Sequence, residues 1–375
     1  DVDDAGRFSP RQGYRLLRNA VGQKSPRGVA RGIYYALGGL GHALSRQPDP
    51  YWNFEVVMAL EARAGYRSTF FFVPEAGSPD RDPPYELDTP RLRDLLGRLC
   101  ADGWEVGVHG NYDSYLDPEL LRAQREKLER VSGSSVRGVR QHYLRLQVPG
   151  TFRAQADAGY AYDGTVGYRG HVGFRAGAAF PFRPFDPVAG RELALLELPL
   201  AVMDGPLFWQ LKLSPPEASA RTLALLETVR SVGGLAVVLW HQRAWHEGRY
   251  PGWGQVYSQA LDHLSQEGLA WVATAGQVAD WWLARESVQL EAYSVHEGAC
   301  RWRYRVGPAV QGLSFALRSA GAGSVTVAGS EAAIQEIEGG VRLDFPSLAA
   351  GQSFEIELAA IKKLGSRHPE RSAAE

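Results

Sequence analysis

Five short motifs of this chain carry residue types suited to hydrolysis. In four of the five motifs, all except the first, this residue directly follows an apolar run of strand length. In open or closed sheets of parallel strands, the carboxyl ends of the strands gather at one rim, where the chemistry collects. A chain that delivers aspartate, histidine and arginine to one rim is therefore predicted to be a hydrolase. The motif residues are Asp1, His109, Arg140, Asp163 and His241.

Short apolar runs alternate with amphipathic helices between Ser68 and Glu286. Strand–helix alternation of this length indicates parallel pairing, in a barrel or a doubly wound sheet. The predicted strands are Ser68–Val73, Glu105–His109, Val136–Arg140, Tyr160–Asp163, Leu195–Val202, Leu235–His241 and Leu269–Thr274. The predicted helices begin after Thr89, Asp117 and Ser214, which are suitable cap residues before proline, and a last helix runs to about Glu286.

The pattern divides the chain into an α/β domain over residues 1–286, a small all-β domain over 287–361 and a disordered tail over 362–375. Residues 5–50 are rich in Arg and Gly and are interpreted as a helical insertion after the first acidic motif. After Ser287, short alternating runs separated by Gly-rich turns predict an antiparallel, sandwich-like domain. The tail has no apolar period, which is typical of disorder.

The net charge and the lengths of the apolar runs exclude several classes of protein. With 41 Lys and Arg against 42 Asp and Glu, the formal charge is −1, so no overall field recruits nucleic acid or an anionic membrane. No apolar run reaches the ~18 residues that predict a membrane span, and a soluble protein is expected. No strand precedes Asp1, so an amino-terminal strand and any signal peptide are predicted to be missing, and a cytoplasmic location is slightly favoured.

In their order along the chain, the motifs resemble those of the NodB-type polysaccharide deacetylases, carbohydrate esterase family four. The resemblance covers Asp1 and roughly Ser68–Trp282, and several further segments are similar to an atypical branch of that family. It implies a distorted (β/α)7-8 barrel, a divalent metal, with zinc expected, and removal of acetyl groups from an amino sugar or polysaccharide. The motifs that carry the family resemblance, after the acidic cluster, are Ser68–Phe72, Gly103–Asp113, Gly138–Tyr143, Tyr162–Thr165 and Val238–His241. The segments similar to the atypical branch are Arg140–Arg145, Phe174–Gly177 and Phe180–Asp186.

The resemblance implies that Asp3 and His109 are metal ligands. Asp113 stands where the family has a second histidine, and it would complete an Asp/His/Asp set with harder ligands. His142 is the alternative third ligand, since it follows the arginine motif closely. A metal in such a site lowers the pKa of a bound water to about 7 and polarises a carbonyl, which are the two requirements of deacetylation.

The same resemblance assigns the catalytic groups. Asp1 corresponds to the catalytic base, and Arg140 would hold its carboxylate in the ionised form. An alternative register makes Asp3 and Asp4 the base and ligand pair. His241 corresponds to the acid that protonates the departing amine. Asp163 would orient that acid or hold Arg140.

Three functions compete. The first is a metal-dependent carbohydrate deacetylase, with an acetylated glycan as its substrate. The second is a degenerate family member that binds glycan without turnover, a reading motivated by the aspartate at position 113. The third is a C–N hydrolase that acts on a small cyclic amide, because a fold does not determine a substrate.

Overall fold

The computed structural model describes residues 1–6, 10–22, 26–45, 49–78, 80–83, 85–267, 270–296, 299–318, 324–338 and 340–359. The chain separates into two compact units, Asp1–Ala279 and Asp280–Glu375. The disordered tail predicted over 362–375 lies outside the described residues.

The centre of the first unit is a parallel sheet of five strands. Its order is β1-β2-β3-β4-β7, and every neighbouring pair is parallel, as the strand–helix alternation predicts. On the free edge of β1, Val2 forms a parallel bridge to Phe72, and its N–H donates to the carbonyl of Phe71 at 2.9 Å. The strands of this unit are β1 Thr69–Phe72, β2 Glu105–Gly110, β3 Gly138–Gln141, β4 Tyr162–Asp163, β5 Phe185–Asp186, β6 Arg191–Glu192, β7 Leu196–Glu197, β8 Leu200–Met203 and β9 Val237–Leu239.

Two strands, β8 and β9, form a separate parallel pair. The described strands therefore make a mixed α/β unit with a parallel sheet, but they do not join into the closed barrel that the family resemblance implies. The predicted strand Leu195–Val202 is divided at Pro199, which has no N–H to donate to a ladder. Of the last predicted strand, Leu269 lies outside the described residues and 270–274 have no regular secondary structure.

Local hydrogen bonding explains where the predicted helices begin. The side chain of Thr89 accepts from the N–H of Leu92, and that of Asp117 accepts from Leu120. Ser214 and Glu217 form a reciprocal capping box. The described helices are α1 Pro10–Gly22, α2 Pro26–Ser45, α3 Phe54–Arg63, α4 Pro90–Ala101, α5 Pro118–Ser132, α6 Gly150–Asp157, α7 Pro215–Val232, α8 Trp253–Glu267 and α9 Ala275–Glu286.

The helices cover the sheet with leucine and aromatic side chains. Leu95, Leu96 and Leu99 of α4 are fully buried against strand residues such as Phe72 and Val108. Burial of each such side chain stabilises the fold by about 1.5–3 kcal/mol. Within the insertion predicted over 5–50, the described residues include the two helices α1 and α2. In the described part of the chain, every helix is too short or too polar to cross a bilayer.

The second unit contains two antiparallel sheets, with strand orders β10-β11-β16-β13 and β12-β15-β14. Side chains from both sheets share one core, in which the rings of Phe345 and Phe354 lie 4.8 Å apart. Of these strands, Ala333–Ile337 was not predicted, because its alanine and its central Gln-Glu pair weaken the apolar alternation. The strands are β10 Gln289–His296, β11 Ala299–Arg305, β12 Val310–Arg318, β13 Val325–Ala328, β14 Ala333–Ile337, β15 Gly340–Leu348 and β16 Ser353–Leu358.

Candidate functional site

Three side chains from distant parts of the sequence bring metal-ligating atoms together. Asp3 follows the bridged residue Val2, His109 lies near the end of β2, and His142 comes directly after β3. Oδ1 of Asp3 lies 3.5 Å from Nε2 of His109 and 3.6 Å from Nε2 of His142. One ligand atom from each of the three lies within 4.8 Å of the others. Parallel strands thus deliver the three donors to one edge of the sheet.

Hydrogen bonds to the far ring nitrogens orient both imidazoles. Nδ1 of His109 lies 2.8 Å from the carbonyl oxygen of Arg140, which can only accept, so this nitrogen carries the proton. Nδ1 of His142 lies 3.0 Å from Oδ1 of the fully buried Asp82. Burial lowers the pKa of His109 to about 4, so that its ring is neutral near pH 7. In both rings Nε2 faces Oδ1 of Asp3, which is the arrangement of metal-binding histidines.

The Asp3 carboxylate also fits a metal site. Its Oδ1 is buried and, within the part of the chain that the structure describes, has no hydrogen-bond partner. Burial raises the pKa of Asp3, but His241 and Arg243 outweigh that effect and hold it well below its usual value. The carboxylate is therefore ionised. Ligands at about 2.0–2.1 Å from a tetrahedral zinc ion lie about 3.3 Å apart, close to the separations found here.

The structure places His142, and not Asp113, in this group of donors. Asp113 is exposed at the start of the short 3-10 helix Ser114–Leu116, and its backbone N–H donates to Oδ1 of Asn111 at 3.2 Å. A spacing of four residues brings side chains together only on a helix. Here β2 ends at Gly110 and the chain turns, so Asp113 does not follow His109 to the cluster.

Asp1 forms a buried ion pair with Arg140. Nη1 of Arg140 donates to Oδ1 of Asp1 at 2.6 Å, and Oδ2 of Asp1 lies 3.8 Å from Nε2 of His109. Nε of Arg140 donates to the carbonyl of Gly164 at 2.9 Å, and the guanidinium lies over the ring of Phe71. Burial lowers the pKa of Arg140 to about 10, which leaves it charged at neutral pH. Arg140 thus holds an ionised Asp1 carboxylate beside His109.

Asp4, by contrast, faces Arg243. Nη1 of Arg243 lies 2.7 Å from Oδ2 of Asp4, and Nη2 lies 3.1 Å from Oδ2 of Asp3. The alternative register, with Asp3 and Asp4 as base and ligand, would need Asp4 among the imidazoles. The geometry instead places Asp1 and Asp3 there. Arg243 was missed by the sequence analysis, although it lies two residues after the strand-end residue His241.

His241 lies on the opposite side of Asp3 from the two other histidines. Its Nε2 is 3.2 Å from Oδ2 of Asp3 and its Nδ1 is 2.8 Å from Oδ1 of Asp204. The backbone N–H of His241 donates to Oδ2 of Asp204 at 3.0 Å. Burial lowers the pKa of His241, but the Asp204 and Asp3 carboxylates outweigh it and raise that pKa above its usual value. His241 is therefore suited to hold a proton.

Asp163 lies behind Arg140 and pairs with a second acid. It is fully buried, as is Glu197, which is its register partner on β7. Burial raises the pKa of Asp163, and burial together with the Asp163 charge raises the pKa of Glu197 well above its usual value. Oδ1 of Asp163 accepts from the Thr165 hydroxyl. Asp163 thus contacts this neighbouring acid and hydroxyl, while Nε of Arg140 donates to the adjacent Gly164.

Two acids of the site, Asp82 and Asp204, were missed by the sequence analysis. Asp204 directly follows the apolar strand β8, so the strand-end rule that identified His241 could have found it. Asp82 lies in a loop rich in Asp and Pro. No strand precedes it, and the sequence has no signal for its contact with His142.

Exposed aromatic rings stand beside the cluster. Tyr143 follows His142, its ring lies 4.4 Å from the imidazole, and it is 38% exposed. Its backbone has φ 58° and ψ 19°, a left-handed conformation that is uncommon outside glycine and that clusters at functional sites. Trp209 is 49% exposed, and its ring lies 5.8 Å from the guanidinium of Arg243. Trp240 and Trp253 are instead buried in the core.

No protein-family model matches this chain, and no curated protein does. Among solved structures, it is similar to wild-type BA3943, described as a CE4 family pseudoenzyme from Bacillus anthracis, at 10% identity and a TM-score of 0.37, over 62% of each chain. A BA3943 mutant described as having restored enzymatic activity matches at 9% identity and a TM-score of 0.37, over 62% of this chain and 64% of that one. The match thus spans less than two thirds of those proteins.

Proposed function

We propose that this chain is a metal-dependent hydrolase that removes acetyl groups from an acetylated amino sugar or polysaccharide, as a NodB-type deacetylase. The observation that carries the proposal is the buried Oδ1 of Asp3, which faces Nε2 of His109 and of His142. A buried carboxylate oxygen without a hydrogen-bond partner is costly unless a cation completes it. Two imidazoles and one carboxylate form a donor set suited to zinc, with a fourth position for water or substrate.

The remaining residues supply acid and base on either side of that cluster. A divalent metal bound there would polarise the acetyl carbonyl and lower the pKa of a water. Asp1, held ionised by Arg140, is the base that takes a proton from the attacking water. His241, whose pKa its two neighbouring carboxylates raise, is the acid that gives a proton to the departing amine. Asp204 keeps the His241 ring in the orientation that points Nε2 to the site.

A carbohydrate substrate is supported by the aromatic rings beside the cluster. Sugar rings present apolar C–H faces that pack on aromatic side chains, and those side chains must be accessible. Tyr143 and Trp209 are both partly exposed. The left-handed backbone at Tyr143 directs that ring next to His142. Accessible aromatic rings beside the donor group favour a glycan over a small cyclic amide as the substrate.

A second candidate, a glycan-binding protein without turnover, is favoured by one observation. Nη2 of Arg243 lies 3.1 Å from Oδ2 of Asp3, so a cation already neutralises the carboxylate that would bind the metal. In that case Arg243 would replace the metal's charge, and the site would bind sugars through its aromatic rings alone. Metal content separates the two candidates.

The test is zinc content measured together with acetate release from acetylated chito-oligosaccharides. About one zinc per chain is expected, and Asp3→Ala and His109→Ala should each lose both zinc and acetate release. His263→Ala is the matched control, because that histidine pairs with Glu227 away from the site. If a well-folded chain binds these oligosaccharides but contains no zinc and releases no acetate, the proposal that it is an enzyme is wrong. Release of product from a cyclic imide but not from glycans would support the C–N hydrolase instead.

A further inference from the structure

The charges of this chain are distributed very unevenly. Residues 5–48 contain eight Lys and Arg and no Asp or Glu, although the whole chain has a formal charge of −1. All 42 acidic residues therefore lie elsewhere. A basic segment of this strength attracts anionic surfaces within a Debye length. The eight residues are Arg7, Arg11, Arg15, Arg18, Lys24, Arg27, Arg31 and Arg46.

Helices α1 and α2 of this segment pack against each other through small residues. A Cβ atom added at Gly13 would lie 2.4 Å from the backbone nitrogen of Ala36, and one added at Gly32 would lie 2.7 Å from Cγ of Leu17. Gly13, Gly32 and Ala20 are buried. The two backbones therefore approach closely at Gly13 and Gly32, where Ala36 and Leu17 of the facing helix are the neighbours.

Among the side chains that the structure describes on these helices, several large apolar ones are exposed. On α2, Ile33, Leu37 and Leu40 follow the i, i+4, i+7 spacing of one helical face, and on α1 Tyr14 and Val21 are seven residues apart. These five side chains are between 47% and 68% exposed. In a helix pair adapted to water, the large apolar residues would lie between the helices. The exposed apolar side chains of each helix are suited to an apolar environment outside the protein.

The described residues at the two ends of the segment, Gly6 and Asp49, lie close together. Gly6 is two residues after Asp4, and Asp49 directly follows the segment. A Cβ atom on Gly6 would lie 2.6 Å from Oδ2 of Asp49. The two ends of the insertion therefore meet close to the residues that carry Asp3.

We propose that the α1–α2 hairpin binds the surface of an anionic lipid bilayer. The exposed Tyr14, Val21, Ile33, Leu37 and Leu40 would enter the boundary between headgroups and acyl chains, and the arginines would contact the lipid phosphates. Nucleic acid would match the charge but would leave the aliphatic face without a partner. Neither helix is long and apolar enough to span a bilayer, which agrees with a position in the plane of the interface.

The test is co-sedimentation of the full chain with vesicles. One vesicle type is phosphatidylcholine alone, and the other contains about a third phosphatidylglycerol, an anionic lipid. Binding is expected only to the anionic vesicles, and it should weaken when the ionic strength rises from about 0.05 M to about 0.5 M. Equal binding to neutral vesicles, or none to either type, would overturn the proposal.

Paired substitutions separate the two parts of the surface. Arg18→Glu with Arg27→Glu should weaken binding by about tenfold or more, because both arginines are exposed. Leu37→Ser with Leu40→Ser should weaken it to a similar extent through the loss of apolar burial. The controls are Arg63→Glu with Arg221→Glu, and Val188→Ser with Val232→Ser, which make the same changes at exposed positions elsewhere. Circular dichroism checks that each variant keeps its helices.

These binding measurements distinguish an anionic lipid surface from other polyanions as the partner of the hairpin. If the leucine pair is dispensable and the chain binds DNA or heparin as tightly as anionic vesicles, the hairpin is a general polyanion site and the lipid proposal is wrong. Asp3→Ala should bind vesicles like the wild type, because Asp3 lies outside the hairpin. The lipid surface and the metal site can therefore fail independently.

Discussion

Nδ1 of His142 lies 3.0 Å from Oδ1 of Asp82, a residue 60 positions earlier in the chain. Oδ1 of the same carboxylate also accepts from the N–H of Tyr112, and Oδ2 accepts from the N–H groups of Gly77 and Ser78. Asp82 is therefore held by backbone N–H groups of its own loop and of the turn after β2. It fixes the imidazole so that Nε2 points to Asp3, which makes it an outer partner of the candidate metal site.

Asp82→Asn should lower zinc affinity by about 10- to 100-fold, since loss of such an outer partner costs that much in characterised sites. The amide keeps the size of the side chain but no longer presents two acceptor oxygens. Zinc affinity can be measured by competition with a chromophoric chelator. Asp88→Asn, an exposed acid that pairs with Arg93, is the control and should bind zinc like the wild type. Unchanged affinity in Asp82→Asn would show that His142 is not oriented through this contact.

The identity of the third ligand can be tested directly. His142→Ala should lower zinc affinity by more than loss of its partner Asp82 does, because a donor is removed outright. Asp113→Ala should leave zinc affinity unchanged, since Asp113 is exposed and outside the donor group. The opposite ranking of the two variants would restore Asp113 as the ligand.

Asp204 positions the candidate acid. Asp204→Asn should lower kcat for acetate release by about a hundredfold or more, because the amide holds His241 less well and no longer favours its protonated form. Zinc content should stay the same, which distinguishes this effect from damage to the metal site. Asp262→Asn, at an exposed position of α8, is the matched control. Loss of zinc in Asp204→Asn would mean that His241 belongs to the metal site.

The buried acid pair predicts how stability depends on pH. Burial and the Asp163 charge raise the pKa of Glu197 in the folded state, while the unfolded chain has a value of about 4.3. Above that value the unfolded chain releases a proton that the folded chain retains. The free energy of unfolding should therefore fall as the pH rises through the window between the two pKa values, by up to about 1.4 kcal/mol per pH unit.

Glu197→Gln removes this titration. Denaturant unfolding at about pH 5 and about pH 8 should show a smaller loss of stability with rising pH in the variant than in the wild type. Glu192→Gln, at an exposed position of β6, should keep the wild-type dependence. Identical slopes for all three proteins would place an ionised Glu197 in the folded state.

Much of the secondary structure could be predicted from the sequence because its signals are local. The side chains of Thr89 and Asp117 accept hydrogen bonds from the backbone three residues later, and Ser214 forms a capping box over the same distance. The helices that follow these three residues begin where predicted. The parallel pairing followed from the alternation of strands and helices. The closed barrel did not appear among the described strands, because closure depends on how β7, β8 and their neighbours pair, and β7 and β8 are separated at Pro199.

The sequence by itself determined the residue types at the strand ends, Asp1, His109, Arg140 and His241, since apolar runs of strand length precede the last three. Only the tertiary structure decided which residues complete the site. His142 joins the donor group and Asp113 does not, because the turn after Gly110 directs the two differently. Asp82 and Asp204 reach their histidines across 60 and 37 positions of chain. Contacts of that range depend on loop paths and strand order, which no local pattern encodes.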